Sequence, residues 1–203
     1  GFAASEDVLI SCLQNRCTLT LDVGVANGRS FLVVAGVGFD AEVVHRLAGQ
    51  RRGHITHLSY TGPLWRTFWE HRFPALRVVA DGAPAWEGRG LVFVGNIGRY
   101  ALGLPVIRDA DPSDGALDLL ILPCADQFAL IGHSIRTLMR RHIEHPGVTY
   151  RRVQCVRVEA DETVPFELDG DATGCCPLDV HILPGAIRVL VPPATARKYN
   201  RTP

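Results

Sequence analysis

The sequence predicts a mainly β, α+β domain built as a two-layer antiparallel sheet architecture with two or three inserted helices. Three observations carry this. Short apolar or alternating runs of strand length recur along the chain. Asn27-Gly28, Asp81-Gly82 and Asp169-Gly170 punctuate them, and such pairs tolerate the positive φ of tight hairpins. The regular strand–helix–strand alternation of a parallel sheet is missing, because most strands connect by short turns.

The elements follow in order. Residues 5–14 resemble the last turns of a helix. Residues 17–25 alternate as a strand, and Asn27-Gly28 turns the chain back into a second strand over 30–35. Helical spacing covers 39–47 and again 55–70, where Gly62-Pro63 breaks or starts the helix. A strand begins at Leu76 and turns at Asp81-Gly82, and residues 90–96 form a buried strand running into a glycine-containing loop. Asp114-Gly115 opens a further strand over 116–122. The spacing of Phe128, Ile131, Ile135, Leu138 and Met139 predicts an amphipathic helix over 126–142. Strands are expected at 149–159, 164–168, 178–183 and 186–191. The tail from 194 to 203 is polar and reads as frayed, leaving one domain over 1–193.

Composition narrows the chemistry. The 203 residues hold 21 Lys+Arg against 21 Asp+Glu, and Lys198 is the only lysine. That excludes a Walker-type Gly-Lys-Ser/Thr loop, a Ser-x-x-Lys nucleophile and a buried Schiff-base lysine. Zero net charge argues against nucleic acid, which selects a basic face. No apolar run approaches the ~18 residues that span a bilayer, and no signal-peptide pattern opens the chain. Six scattered cysteines without a C-x-x-C pair read as reduced thiols in the cytosol. His142 and His145, without a third ligand, read as surface decoration. The single methionine and the start at Gly1 suggest a piece of a longer or processed protein.

Four motifs bear on function. Gly36-Val-Gly38-Phe-Asp-Ala41 matches a short dinucleotide fingerprint, but its strand arrives from a tight hairpin, which argues against that fold. Its glycines allow a sharp strand-to-helix turn. Asp40 then either caps the helix or, with Glu42, grips a polar substrate head. Asp109, Asp111, Asp114 and Asp118 crowd one turn, either as solvated carboxylates or as oxygen ligands for a hard divalent ion. Phe166-Glu-Leu-Asp169-Gly170-Asp171 reads by itself as an ordinary hairpin. Tyr60, Leu64, Trp65, Phe68 and Trp69, flanked by Arg66 and Arg72, form either core packing, an acyl-chain wall or an interfacial patch.

In this order the motifs resemble the bacterial diacylglycerol kinase-like lipid kinases, over about residues 5–193. The matching segments are Asn27-Gly28 through Val43, Val92-Phe-Val-Gly-Asn96, Pro105 through Asp118, Leu168-Asp-Gly-Asp171 and Ala186 through Pro192. The resemblance implies the family's C-terminal β-sandwich-like domain. The N-terminal nucleotide-binding domain with its Gly-Gly-Asp-Gly-Thr loop is absent from this chain. It further implies a structural metal at Asp111, Asp114 and the Ala116 carbonyl, and a catalytic carboxylate at Asp171 serving Mg2+, where the family carries Glu. Gly98 and Gly103-Leu104 replace the family's Gly-Gly loop. The expected activity is ATP-dependent phosphorylation of a lipid hydroxyl by the whole enzyme, in the cytoplasm, peripheral at the inner face of the membrane. The fragment alone is expected to be inactive. An NAD kinase-type domain and a non-catalytic lipid-binding module are the alternatives, and exposed sheet edges leave a homodimer open.

Overall fold

The computed structural model describes residues 6–49, 61–98, 100 and 103–199. Along the chain run α1 (Glu6–Asn15), β1 (Thr18–Ala26), β2 (Arg29–Phe31), β3 (Val34–Val37), α2 (Phe39–Gly49), α3 (Thr61–Glu70), β4 (Ala75–Ala80), β5 (Ala83–Gly95), β6 (Leu117–Pro123) and α4 (Gln127–Leu138). Then follow β7 (Thr149–Val153), β8 (Cys155–Ala160), β9 (Pro165–Leu168), β10 (Asp171–Cys175), β11 (Leu178–Leu190) and α5 (Pro193–Tyr199). Neighbouring strands pair antiparallel. One layer runs β4-β8-β11-β1-β2, and the other contains β10-β9-β3 together with β6 and β7. The long β5 joins them: residues 83–89 pair with β4, whereas 90–95 pair with β6.

The main core lies between the layers and takes Leu76, Val78, Val158 and Leu178 from one side, Val92 and Leu119 from the other. Side chains alternate across a strand, so Leu91, Phe93, Leu120 and Leu122 point the opposite way into a second core. Leu130 of α4 helps to cover it. This explains why residues 90–95 of β5 and most of β6 read as apolar runs: both faces of that layer are buried.

Several predicted elements divide or fuse at the crossings between layers. The strand expected over 30–35 splits, because β2 pairs with β1 in one layer while β3 pairs with β5 and β9 in the other. The carboxylate of Asp169 holds the break, accepting from the N–H groups of Leu32, Val33 and Val34 at 2.7, 2.8 and 2.9 Å. The strand expected over 149–159 also divides, at Gln154, and there Asp81 accepts from the N–H groups of Gln154 and Cys155. Both aspartates open Asp-Gly turns in which the two residues have positive φ. Each turn residue therefore also satisfies backbone donors that a crossing strand leaves without a ladder partner. Conversely, the strands expected at 178–183 and 186–191 form one bent β11, with Gly185 N–H donating to Asp22.

Two further expectations change. The tail folds as far as Tyr199, with α5 seating Ala196 against Leu19 and Val191, so its described part is not frayed. The helix expected over 126–142 starts behind its Asp126 cap but ends at Leu138, and His142 belongs to a separate 3-10 turn. Of the helix expected over 55–70, Thr61–Glu70 is helical, and residues 55–60 lie outside the described residues. No helix among the described residues is long and apolar enough to cross a membrane.

Candidate functional site

The strand-to-helix turn at Gly36–Phe39 builds the most chemically loaded corner of the molecule. Gly36 sits opposite Glu167 in the β3–β9 ladder. A Cβ at Gly36 would lie 2.7 Å from Glu167 Oε1 and 3.3 Å from Asp40 Oδ2, so the missing side chain makes room for two carboxyl groups. Gly38, at φ +107°, lets α2 start close to β5, where a Cβ would meet Gly90 O at 3.3 Å. Asp40 in the first turn of α2 thereby reaches Glu167 and the hydroxyl of Tyr100. It does not serve as the helix cap that the sequence allowed.

Glu167 is fully buried, and with both acids ionised neither its Oε1 nor Asp40 Oδ2 has a donor among the described residues. Burial, reinforced by the Asp40 charge, pushes Glu167 up to about 8. Burial likewise pushes Asp40 up to about 6, although Tyr100 and Glu167 hydrogen bonds oppose it. The Tyr100 hydroxyl is held neutral far above its ordinary value, chiefly by burial and by the two acids. Two interacting carboxyls in such a site share a proton near neutral pH, which supplies the missing donor.

Asp40 and Tyr100 border a cavity of about 250 Å³ under α4, walled by apolar side chains such as Leu91, Phe93, Leu104, Leu122 and Leu130. The other hydroxyls in its wall are satisfied internally: Ser134 donates to Leu130 O and Thr137 to His133 O. Among the described residues His133 Nδ1 has no partner, and Asp40 Oδ2 has none beyond the proton it shares with Glu167. An apolar pocket bearing a few polar atoms suits a ligand with an apolar chain and one polar head.

The structure separates Asp40 from Glu42. Residues two apart on a helix do not share a face, and Glu42 instead pairs with His71 Nδ1 at 2.5 Å and Arg46 at 2.6 Å. Its pKa is lowered, first by the His71 hydrogen bond. Arg46 also pairs with Glu70, which Arg66 holds in turn. This network edges a different recess of about 590 Å³ that includes Arg72 and Glu162.

Asp171 opens β10 on the exposed side of its hairpin, and its carbonyl accepts from Thr173 Oγ1. The buried acid beside Asp40 is Glu167, four residues earlier, which accepts from Gly170 N–H at 2.6 Å. Sequence reasoning missed Glu167 because it alternates as an ordinary strand residue. The available signal was a Gly facing it across the ladder, which requires knowing the pairing.

In the acidic turn, Asp111 Oδ1 accepts from both the N–H and the Oγ of Ser113, and Asp114 Oδ1 accepts from Ala116 N–H. Asp114 Oδ2 faces Arg152 at 3.0 Å. Burial raises the Asp114 pKa, and Asp111 and Asp22 add to the rise. Burial also lifts Asp118 to about 6. No group of three or more metal-binding side chains assembles among the described residues. Two carboxylates and a carbonyl nevertheless offer the oxygen donors a hard divalent ion prefers. Asp22, which the sequence did not mark, ties this turn to β11 by accepting from Gly115 N–H and Gly185 N–H, both at 2.7 Å.

Other expectations shift as well. His142 is fully buried, against Val106 O at 2.7 Å, and is not surface decoration. The expectation of reduced thiols holds, since all six cysteines are free. Leu64, Trp65 and Trp69 are exposed, so they are not core, and Tyr60 of that cluster lies outside the described residues.

Residues 33–191 match the family model of the YegS C-terminal NAD kinase beta sandwich-like domain. The chain is similar to the diacylglycerol kinase of Staphylococcus carnosus, with 28% identity over 185 residues, covering 86% of this chain and 57% of that protein. It is also similar to the diacylglycerol kinase of Bacillus subtilis, with 24% identity over 198 residues, covering 96% and 65%. It therefore spans less than two thirds of these relatives. Two solved structures from Bacillus anthracis share the fold. One has a TM-score of 0.68 at 21% identity, covering 90% of this chain and 60% of that one. The second, described as a diacylglycerol kinase, has a TM-score of 0.59 at 18% identity, covering 90% and 57%.

Proposed function

This chain belongs to the family of YegS C-terminal NAD kinase beta sandwich-like domains, as found in diacylglycerol kinase-like proteins, and from that premise we propose that it is the C-terminal half of an ATP-dependent lipid kinase. The observation that carries the substrate class is the apolar cavity bordered by the Asp40 carboxyl. An acyl chain fills the apolar part and excludes water. The lipid hydroxyl donates to Asp40, which orients its oxygen; as that oxygen bonds to the γ-phosphorus of ATP, ADP leaves and the hydroxyl proton passes to the principal base. Glu167 holds the shared proton and fixes the Asp40 carboxyl in place. The apolar lining favours a lipid over a dinucleotide.

A companion nucleotide-binding domain supplies the phosphate loop and the principal base. When bound, Mg2+ neutralises charge on the transferring phosphoryl group, and Asp171 is the residue this chain offers toward it. Being one methylene shorter than Glu, Asp171 would need a water bridge to serve the ion. Asp111, Asp114 and the Ala116 carbonyl would hold a structural divalent ion, with Arg152 displaced from Asp114. The enzyme works in the cytoplasm, peripheral at the inner face of the membrane.

The test is phosphoryl transfer from ATP to a diacylglycerol. The 203-residue chain alone should give no turnover, and the chain joined to the nucleotide-binding half of its parent should give turnover. Turnover by the chain alone, or a joined enzyme that phosphorylates only water-soluble alcohols, would overturn the assignment.

A further inference from the structure

The apolar stripe that predicts α4 faces solvent. The helix buries Leu130, His133 and Thr137, and leaves Phe128, Ile135, Leu138 and Met139 exposed at 84, 51, 66 and 60%. A contiguous patch of this kind on a folded surface marks an interface. Its charge is one-sided, since Gln127–Leu138 contains no Asp or Glu, and Arg136 in its last turn is followed by Arg140 and Arg141. These three arginines form no ion pair among the described residues, whereas neighbouring Arg108 is held by Asp109 and Glu144. Leu138 belongs both to this stripe and to the wall of the cavity beside Asp40. The cavity therefore opens onto the same face.

We propose that α4 is the seat of this domain on an anionic bilayer. Its apolar stripe enters the acyl boundary, its arginines meet lipid phosphates, and a lipid passes beside Leu138 into the cavity without crossing water. A protein partner is less well matched, because the stripe ends in cations that form no ion pair among the described residues and borders the apolar cavity. The last step rests on the proposed lipid-kinase reading, but the seat itself is tested without turnover.

The assay is co-sedimentation of the 203-residue chain with phosphatidylcholine vesicles, with and without phosphatidylglycerol. Phe128→Ser and Leu138→Ser should each weaken association with the anionic vesicles about tenfold. Arg136→Gln, Arg140→Gln and Arg141→Gln should each weaken it about fivefold at low salt, and their effect should vanish at high salt. Leu183→Ser, exposed on the other layer, should change nothing, and equal urea midpoints will show that all variants fold. The seat is refuted if the wild-type chain ignores anionic vesicles or if the α4 variants sediment like wild type. It is also refuted if those variants break a dimer while vesicle binding persists. A wild-type chain that ignores anionic vesicles yet binds a short-chain lipid alcohol would sink the seat and leave the lipid-kinase reading standing.

Discussion

Replacing Glu167 with Gln removes the proton that the acid pair shares while keeping the shape of the side chain. The native state lifts Glu167 from an ordinary 4.5 to about 8, so the folded chain holds this proton more tightly than the unfolded chain does. The associated stability is fully present below the unfolded value and is lost as pH rises through the folded one. At about 1.4 kcal/mol per pH decade, the loss across that window is on the order of 5 kcal/mol. A glutamine behaves as a permanently neutral acid: its oxygen can accept from Gly170 N–H, as Glu167 Oε2 now does, and its amide can donate to Asp40. Glu167→Gln should therefore match wild type near pH 5 and exceed it by several kcal/mol near pH 9. Urea unfolding under reducing conditions at both pH values reads the difference. Asp118, raised to about 6, titrates in both chains and cancels. Parallel pH profiles, or a variant less stable than wild type near pH 9, would refute the shared proton.

Other consequences follow from the turns. Asp169→Ala strips the acceptor from three N–H groups at the layer crossing and should lower unfolding free energy by roughly 2–4 kcal/mol in urea titrations. Asp171→Ala, two residues on and exposed, should cost less than about 1 kcal/mol. In the joined enzyme it should abolish phosphorylation, which Asp171→Glu should preserve; a silent Asp171→Ala removes this residue from the mechanism. Millimolar Mg2+ should raise the melting temperature of the wild-type chain but not of Asp114→Asn. An unchanged wild-type melting temperature would discount the acidic turn as a metal site.

The turns were legible from the residues because Asn-Gly and Asp-Gly pairs impose local geometry. What Asp81 and Asp169 hold was not, since Cys155 and Val33 lie 74 and 136 positions away. Period-two patterning placed the strands but not the points where they change layer, because apolar residues continue on both sides of each crossing. Helical spacing likewise revealed the stripe on α4 without revealing that it faces outward. Asp40 could be singled out from its place after two glycines. Glu167 could not, because its meaning depends on burial and on Gly36 lying opposite. The acidic turn shows the converse: a conspicuous run of carboxylates whose oxygens already serve Ser113, Ala116 and Arg152.

The most direct measurement is the affinity of the chain for a short-chain diacylglycerol compared with its O-methyl ether, by titration calorimetry. The two ligands share their acyl chains, and the ether carries a methyl group in place of the one hydrogen that Asp40 is proposed to accept. The alcohol should bind at least about tenfold more tightly, a preference that Asp40→Asn should erase, and Leu130→Trp, which fills the cavity, should block both ligands. Equal affinity for alcohol and ether, or a preference that survives Asp40→Asn, would contradict the assignment of this cavity to a lipid hydroxyl.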